Sequence, residues 1–220
     1  MNKVRAVFTK VGRVKYISHL DLNRHMQRVL RRSGLPIKYT EGFNPHAWLT
    51  FALPLSLGFE SRVETMDFKL TEDIAPEIVK ERLNAVLHED LKILSVSYPV
   101  HANTDIVSSE YTIKISSPKI KSCDIEKSFD EFIAQDEIIA EKFNKKKKTI
   151  LVDIKPIFEI LQKYCNDNEF VLKIIAPSGN EKNYNPNLLV DMFLKYANIL
   201  NETVKVERNR IICSDGSDFL

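Results

Sequence analysis

The side chains best suited to chemistry crowd into residues 16–58, YISHLDLNRHMQRVLRRSGLPIKYTEGFNPHAWLTFALPLSLG. His19 and His46 carry imidazoles, which serve as general base, metal ligand or phosphate donor near neutral pH, and Tyr16 stands three residues before His19. Tyr16, His19 and His46 are therefore the candidates for a metal-independent endoribonuclease with a histidine general base. Each histidine also has a structural alternative. His19, in a first helical turn, can pack near Asn23 or complete a hydrogen bond; His46 belongs to a Gly-Phe-Asn-Pro-His loop, and special loops are where sites concentrate.

A second chemistry is cationic. Arg24, Arg28, Arg31 and Arg32 fall within nine residues, with no lysine among them and no acid four residues on to pair with. Planar guanidinium suits phosphate, so these four with Lys15 and Lys38 form a candidate RNA-binding set, weighed against an ordinary solvated face. A third is apolar contact: Phe43, Asn44, His46, Trp48 and Phe51, in the 42–58 loop, are candidates for binding a protein partner.

The elements that must position these groups follow from periodicity. Val4, Ala6 and Phe8 alternate as a strand, and Gly12 turns the chain. Ser18 followed by Asp21 resembles a capping box opening a helix that runs to about Ser33, where Gly34 and Pro36 stop it. On that helix Leu22, Met26, Val29 and Leu30 share one face, and Arg24, Arg28 and Arg31 line the opposite one. Short strands are expected at 35–40 and 48–57, the latter interrupted by Pro54; then a strand at 64–70, a helix at 76–87 and a strand at 91–98. Beyond a polar linker at 99–108, strands are expected near 110–116, 137–143, 149–155, 169–176 and 204–213. Helical patterns lie around Ile125, Phe129, Phe132 and Ile133, at 157–164 and at 186–196.

This order predicts an α+β protein of two ferredoxin-like (βαββαβ) units with antiparallel sheets, the second elaborated by an extra helix. The domains would span 1–98 and 109–220. The lysine run at 145–148 fits a charged hairpin tip. The net charge of +2 hides an asymmetry: residues 1–50 hold ten basic groups against Asp21 and Glu41. Such clustering favours an anionic partner. No apolar run approaches the roughly 18 residues of a membrane span, and the first residues show no signal-peptide core, so a cytoplasmic protein with no membrane partner is expected. Cys123, Cys165 and Cys213 are odd in number and widely spaced, which predicts reduced, mostly buried thiols; no metal and no cofactor are expected. Walker, dinucleotide, HExxH and nucleophile-elbow motifs are absent from the sequence.

The segment 16–58 also resembles the radical SAM-linked protein family, a bacterial domain of unknown function found beside or fused to radical SAM proteins. The resemblance is carried by Tyr16, Ser18-His19-Leu20-Asp21, Arg24, Arg31-Arg32, Gly34-Leu35-Pro36, Gly42-Phe43-Asn44-Pro45-His46, Phe51, Pro54-Leu55 and Gly58. It continues more weakly to about Tyr98. Family members usually place proline and a basic residue after the position of His46, where this chain has Ala47 and Trp48. The chain lacks the CxxxCxxC cluster of a radical SAM catalyst, so the resemblance implies an accessory: a non-catalytic partner of a radical SAM enzyme that binds RNA or presents substrate. The endoribonuclease, and an adaptor acting through the 42–58 loop, are the alternatives.

Overall fold

The computed structural model describes residues 2–143, 149–179, 182–200 and 202–220; the lysine run at 145–148 lies outside them. The described residues form a mixed α+β fold with a mostly antiparallel sheet and four α-helices. Two compact units are present, Met1–Ile106 with Arg208–Leu220, and Val107–Glu207.

The first unit runs β1 (Asn2–Lys10), α1 (His19–Arg32), β2 (Leu49–Phe51), β3 (Glu60–Leu70), α2 (Pro76–Asn84) and β4 (Ile93–Ser97). β1 lies between β4 and β3, and β2 pairs with the other edge of β3, all antiparallel. Alternation along β1 and β3 points Val4, Ala6, Phe8, Met66, Phe68 and Leu70 into one core. That core is closed by Leu22, Met26, Val29 and Leu30 of α1 and by Val79 and Leu83 of α2, as the helical spacing predicts. Ser18 caps α1, its hydroxyl accepting from the Asp21 backbone N–H at 3.1 Å. Gly34, at φ +67°, takes the left-handed conformation that ends it.

The opposite sheet face departs from expectation. Arg5 and Lys10, counted among the N-terminal cations, are buried. Arg5 makes a bidentate pair with Asp67 (2.7 and 3.0 Å), donates to the carbonyls of His101 and Leu220, and lies 3.8 Å from the Phe219 ring centre. Lys10 donates to the Lys15 carbonyl at 3.1 Å; burial pushes its pKa down, nearby Glu64 opposing the shift and Arg208 adding to it. Two further corrections concern strands. Residues 35–40 form only isolated bridges, Ile37 to Leu70 and Tyr39 to Ala47, and the apolar run at 48–57 yields only the three-residue β2. Pro54 cannot donate to a ladder, and the chain leaves the sheet before it.

The second unit contains β5 (Ile106–Ser116), α3 (Ser122–Ala134), β6 (Ile139–Phe143), β7 (Thr149–Asp153), β8 (Glu159–Cys165), β9 (Phe170–Pro177), α4 (Asn187–Tyr196) and part of β10 (Thr203–Cys213). β10 continues into the first unit from Arg208. β9 pairs antiparallel with both β5 and β8, and β6 and β7 form a separate hairpin. The helix expected at 157–164 is not formed; Glu159–Cys165 is the strand β8. A short apolar run cannot separate the two states by periodicity, and here the free edge of β9 supplies the hydrogen bonds, Ile160 facing Ile174. The core is aromatic: Phe129 packs on Phe132, Phe170 and Phe193 with ring centres 5.0–6.0 Å apart. Cys123 and Cys165 are not free thiols but a disulfide, Cα–Cα 5.3 Å, because the start of α3 meets the end of β8; the Ser122 hydroxyl donates to the Asn166 carbonyl at the same place. Cys213 is the buried free cysteine.

Candidate nucleic-acid interface

α1 positions the cationic set. With its apolar stripe sealed in the core, Arg24, Arg28, Arg31 and Arg32 are exposed. Arg24 pairs with Asp21 at 3.3 Å, a weak exposed contact, and Arg32 donates to the Val86 carbonyl at 3.2 Å. Arg28 and Arg31 have no ion-pair or hydrogen-bond partner among the described residues. Their charge therefore remains available to an anion. It also acts locally: burial, then the charges of Arg32 and Arg28, push the His25 pKa down.

Beside the helix, residues 38–48 fold back on themselves. Trp48 N–H donates to the Lys38 carbonyl and Thr40 N–H to that of His46. Gln27 holds this loop to α1: its amide NH2 donates to the Ala47 carbonyl at 3.0 Å and its amide oxygen accepts from the Ala47 N–H at 2.9 Å. Gln27 lies three residues after Arg24 and four before Arg31, so the loop is anchored along the arginine stripe. Sequence reasoning did not single out Gln27; its outward position at helical spacing from two arginines was the available signal.

The loop sets His46 in a defined orientation. Its Nδ1 lies 3.2 Å from both the Asn44 carbonyl and the Thr40 hydroxyl. A carbonyl only accepts, so in the neutral ring the contact with Asn44 favours the tautomer with the proton on Nδ1 and the lone pair on Nε2. His19 is elsewhere in its contacts, edge-on to Phe51 at 5.2 Å. Tyr16 is exposed, with the Lys15 ammonium 5.4 Å from its ring centre. Among the described residues no hydrogen bond or ring contact joins Tyr16, His19 and His46. Lys15 itself pairs with Glu60 at 2.9 Å, which raises its pKa, while Lys38 is half-buried.

The aromatic candidates are also divided. Phe43 is fully exposed at the loop tip beside Asn44, also exposed. Trp48 lies under the Lys69 ammonium at 4.2 Å, with Lys3 at 6.0 Å, whereas Phe51 packs against Phe8 and His19. Lys3 and Lys69 alternate with Val4 and Phe68 of the core, so Trp48 and Phe51 belong to opposite faces of the sheet. A cavity of about 320 Å³ in the second unit, lined by Phe132, Ile138, Met192 and Tyr196 among others, contains none of the predicted site residues.

A family model described as an uncharacterised protein conserved in bacteria, DUF2344, matches residues 3–186. The chain belongs to that family. No curated protein matches it. Among solved structures, DUF2344 here is similar to a chain in the crystal structure of a Cbf5-Nop10-Gar1 complex, at 11% identity and a TM-score of 0.47, covering 95% of this chain and 48% of that one. This chain thus spans about half the length of that relative. A crystal structure of an unknown protein from Galdieria sulphuraria is similar at 11% identity and a TM-score of 0.27, covering 94% of this chain and 98% of that one. No helix of the described residues is long and apolar enough to cross a membrane.

Proposed function

We propose that this member of DUF2344 is a cytoplasmic, non-catalytic RNA-binding accessory protein of a radical SAM enzyme. The observation that carries RNA binding is the unpaired, exposed charge of Arg28 and Arg31 on α1, next to Arg24 and to the loop that Gln27 holds. Single-stranded RNA offers phosphates to guanidinium groups and bases to exposed rings, and Phe43 and Tyr16 are such rings. The radical SAM partner rests on the resemblance of residues 16–58. The strand order β4-β1-β3-β2 supports a ferredoxin-like first domain, and β10-β5-β9-β8 a second one with an inserted hairpin; the domain limits 1–98 and 109–220 belong to the same proposal.

Filter binding to bulk transfer RNA at two salt concentrations tests it. Affinity falls as salt rises, and Arg24→Ala with Arg28→Ala and Arg31→Ala lowers the log–log salt slope by about 2. Binding that ignores salt, or that the triple substitution leaves unchanged, refutes RNA recognition by this face. Failure of a co-expressed radical SAM protein to co-purify refutes the partner.

One observation favours the endoribonuclease as second reading: the His46 side chain is exposed, and its Nε2 has no hydrogen-bond partner among the described residues. Cleavage of labelled RNA in chelator, lost in His46→Ala, would establish it; an inert wild type removes it. Full exposure of Phe43 favours the adaptor in the same limited way, tested by loss of the co-purifying partner in Phe43→Ala.

A further inference from the structure

We propose that His101, Cys213 and Asp215 form a binding site for a divalent transition metal ion, with Zn²⁺ as the ion of choice. The cluster lies within the first unit and shares no residue with the arginine stripe, and an imidazole nitrogen, the Cys213 sulfur and an Asp215 carboxylate oxygen all come within 4.8 Å of one another. A nitrogen, a thiolate and a carboxylate are the donor types that zinc accepts, and three protein ligands leave a fourth position for water or another ligand.

The backbone holds this set in place independently of any ion. A tight turn carries two of the three donors: Gly216 N–H donates to the Cys213 carbonyl and Cys213 N–H to that of Ser217, both at 2.9 Å, with Gly216 at φ +84°. The turn is pinned to the segment bearing His101, since Ser214 N–H donates to the Asp105 carbonyl at 2.9 Å. His101 is fixed in turn by buried Arg5, which donates to its carbonyl at 3.0 Å. The donors therefore converge because three separate segments are tied together, not because one flexible loop happens to carry them.

A second observation points the same way. Asp105 has a carboxylate oxygen 3.8 Å from His101 Nδ1, and that oxygen is itself held by the Ala102 N–H at 2.8 Å. A carboxylate facing the far nitrogen is the usual arrangement behind a metal-binding histidine, where it fixes the tautomer and leaves Nε2 to the ion. His101 Nε2 lies 3.1 Å from the Ser217 hydroxyl, which donates its one proton to Asp215 at 2.6 Å and so accepts from Nε2–H, the proton that an incoming ion replaces. That hydroxyl now bridges two of the donors, and an ion entering between them displaces it to an outer hydrogen bond. Cys213 is 1% exposed, so its sulfur is shielded from bulk solvent while Asp215 is open to it.

The test is a titration of the chelator-treated full chain with Co²⁺. One equivalent binds with a thiolate-to-cobalt charge-transfer band in the near ultraviolet, and Zn²⁺ displaces it. Cys213→Ser removes the band, and Asp215→Asn, at an exposed position, weakens binding without unfolding the chain. Asp105→Asn lowers affinity about 10–100-fold. A chain with both Cys123→Ser and Cys165→Ser keeps the band. Substoichiometric uptake, a spectrum without the thiolate band, or a band equally strong in Cys213→Ser overturns the site. If Cys213→Ser fails to fold, affinity unchanged in Asp215→Asn and His101→Asn overturns it equally.

Discussion

Among the fully buried large side chains of the first unit are Arg5 and Lys10; those of the second are Phe129, Phe132, Phe170 and Phe193. The first unit also buries Glu64 against Arg208, at 3.0 Å, and Asp67 against Arg5, whereas the second is tied by the Cys123–Cys165 disulfide around aromatic packing. An aromatic core asks mainly for volume and rotamer fit. A buried charge has a large desolvation cost unless specific partners arrive in specific places. The first unit thus adds named charge pairs between distant segments to its apolar core, and the second adds a covalent link to its aromatic one. Part of the N-terminal positive charge is consumed in that way, while the arginines of α1 stay exposed to solvent.

The largest effect should come from breaking a buried pair. Arg5→Ala strands Asp67 with Lys3 as its remaining ion-pair partner and frees the His101 and Leu220 carbonyls; urea unfolding should show a loss of about 3–5 kcal/mol. A loss below about 1 kcal/mol would erase the distinction between the units. Reduction of the second unit's disulfide should cost about 2–4 kcal/mol by the same measurement, and its effect should add to that of Arg5→Ala if the sites are independent. Ser18→Ala, which removes the α1 cap without touching either core, should cost about 1 kcal/mol.

The smallest effect is a pH dependence. His25 has its folded pKa pushed below the ordinary 6.5 by burial and by Arg32 and Arg28. The neutral ring is favoured in the fold, so its contribution is present above 6.5 and is lost as pH falls through the lowered folded value. Stability measured across that window should decline less in His25→Asn than in wild type.

Local signals made α1 legible. Ser18, the Leu22-Met26-Val29-Leu30 stripe and Gly34 all act within a few residues, and the helix is found where they place it. The arginine face follows directly from that stripe. What escaped depended on distant partners. Arg5 alternates correctly for a solvent-facing strand position, but the segments bearing His101 and Phe219 cover it. The β8 strand looked helical because its partner edge lies in β9, and the disulfide joins cysteines 42 residues apart. Likewise His101, Cys213 and Asp215 had no spacing that could announce them, and Gln27 needed its loop partner to be seen.

Glu64 and Arg208 are separated by 144 residues, with the whole second unit between them. At roughly 5–20 residues per second, a ribosome emits Glu64 about 7–30 s before Arg208. During that interval β3 carries Glu64 with Lys10 nearby but without its Arg208 partner, so the first unit is completed only after the second has been synthesised. Order of synthesis and order of completion are therefore inverted: the part made first is finished last.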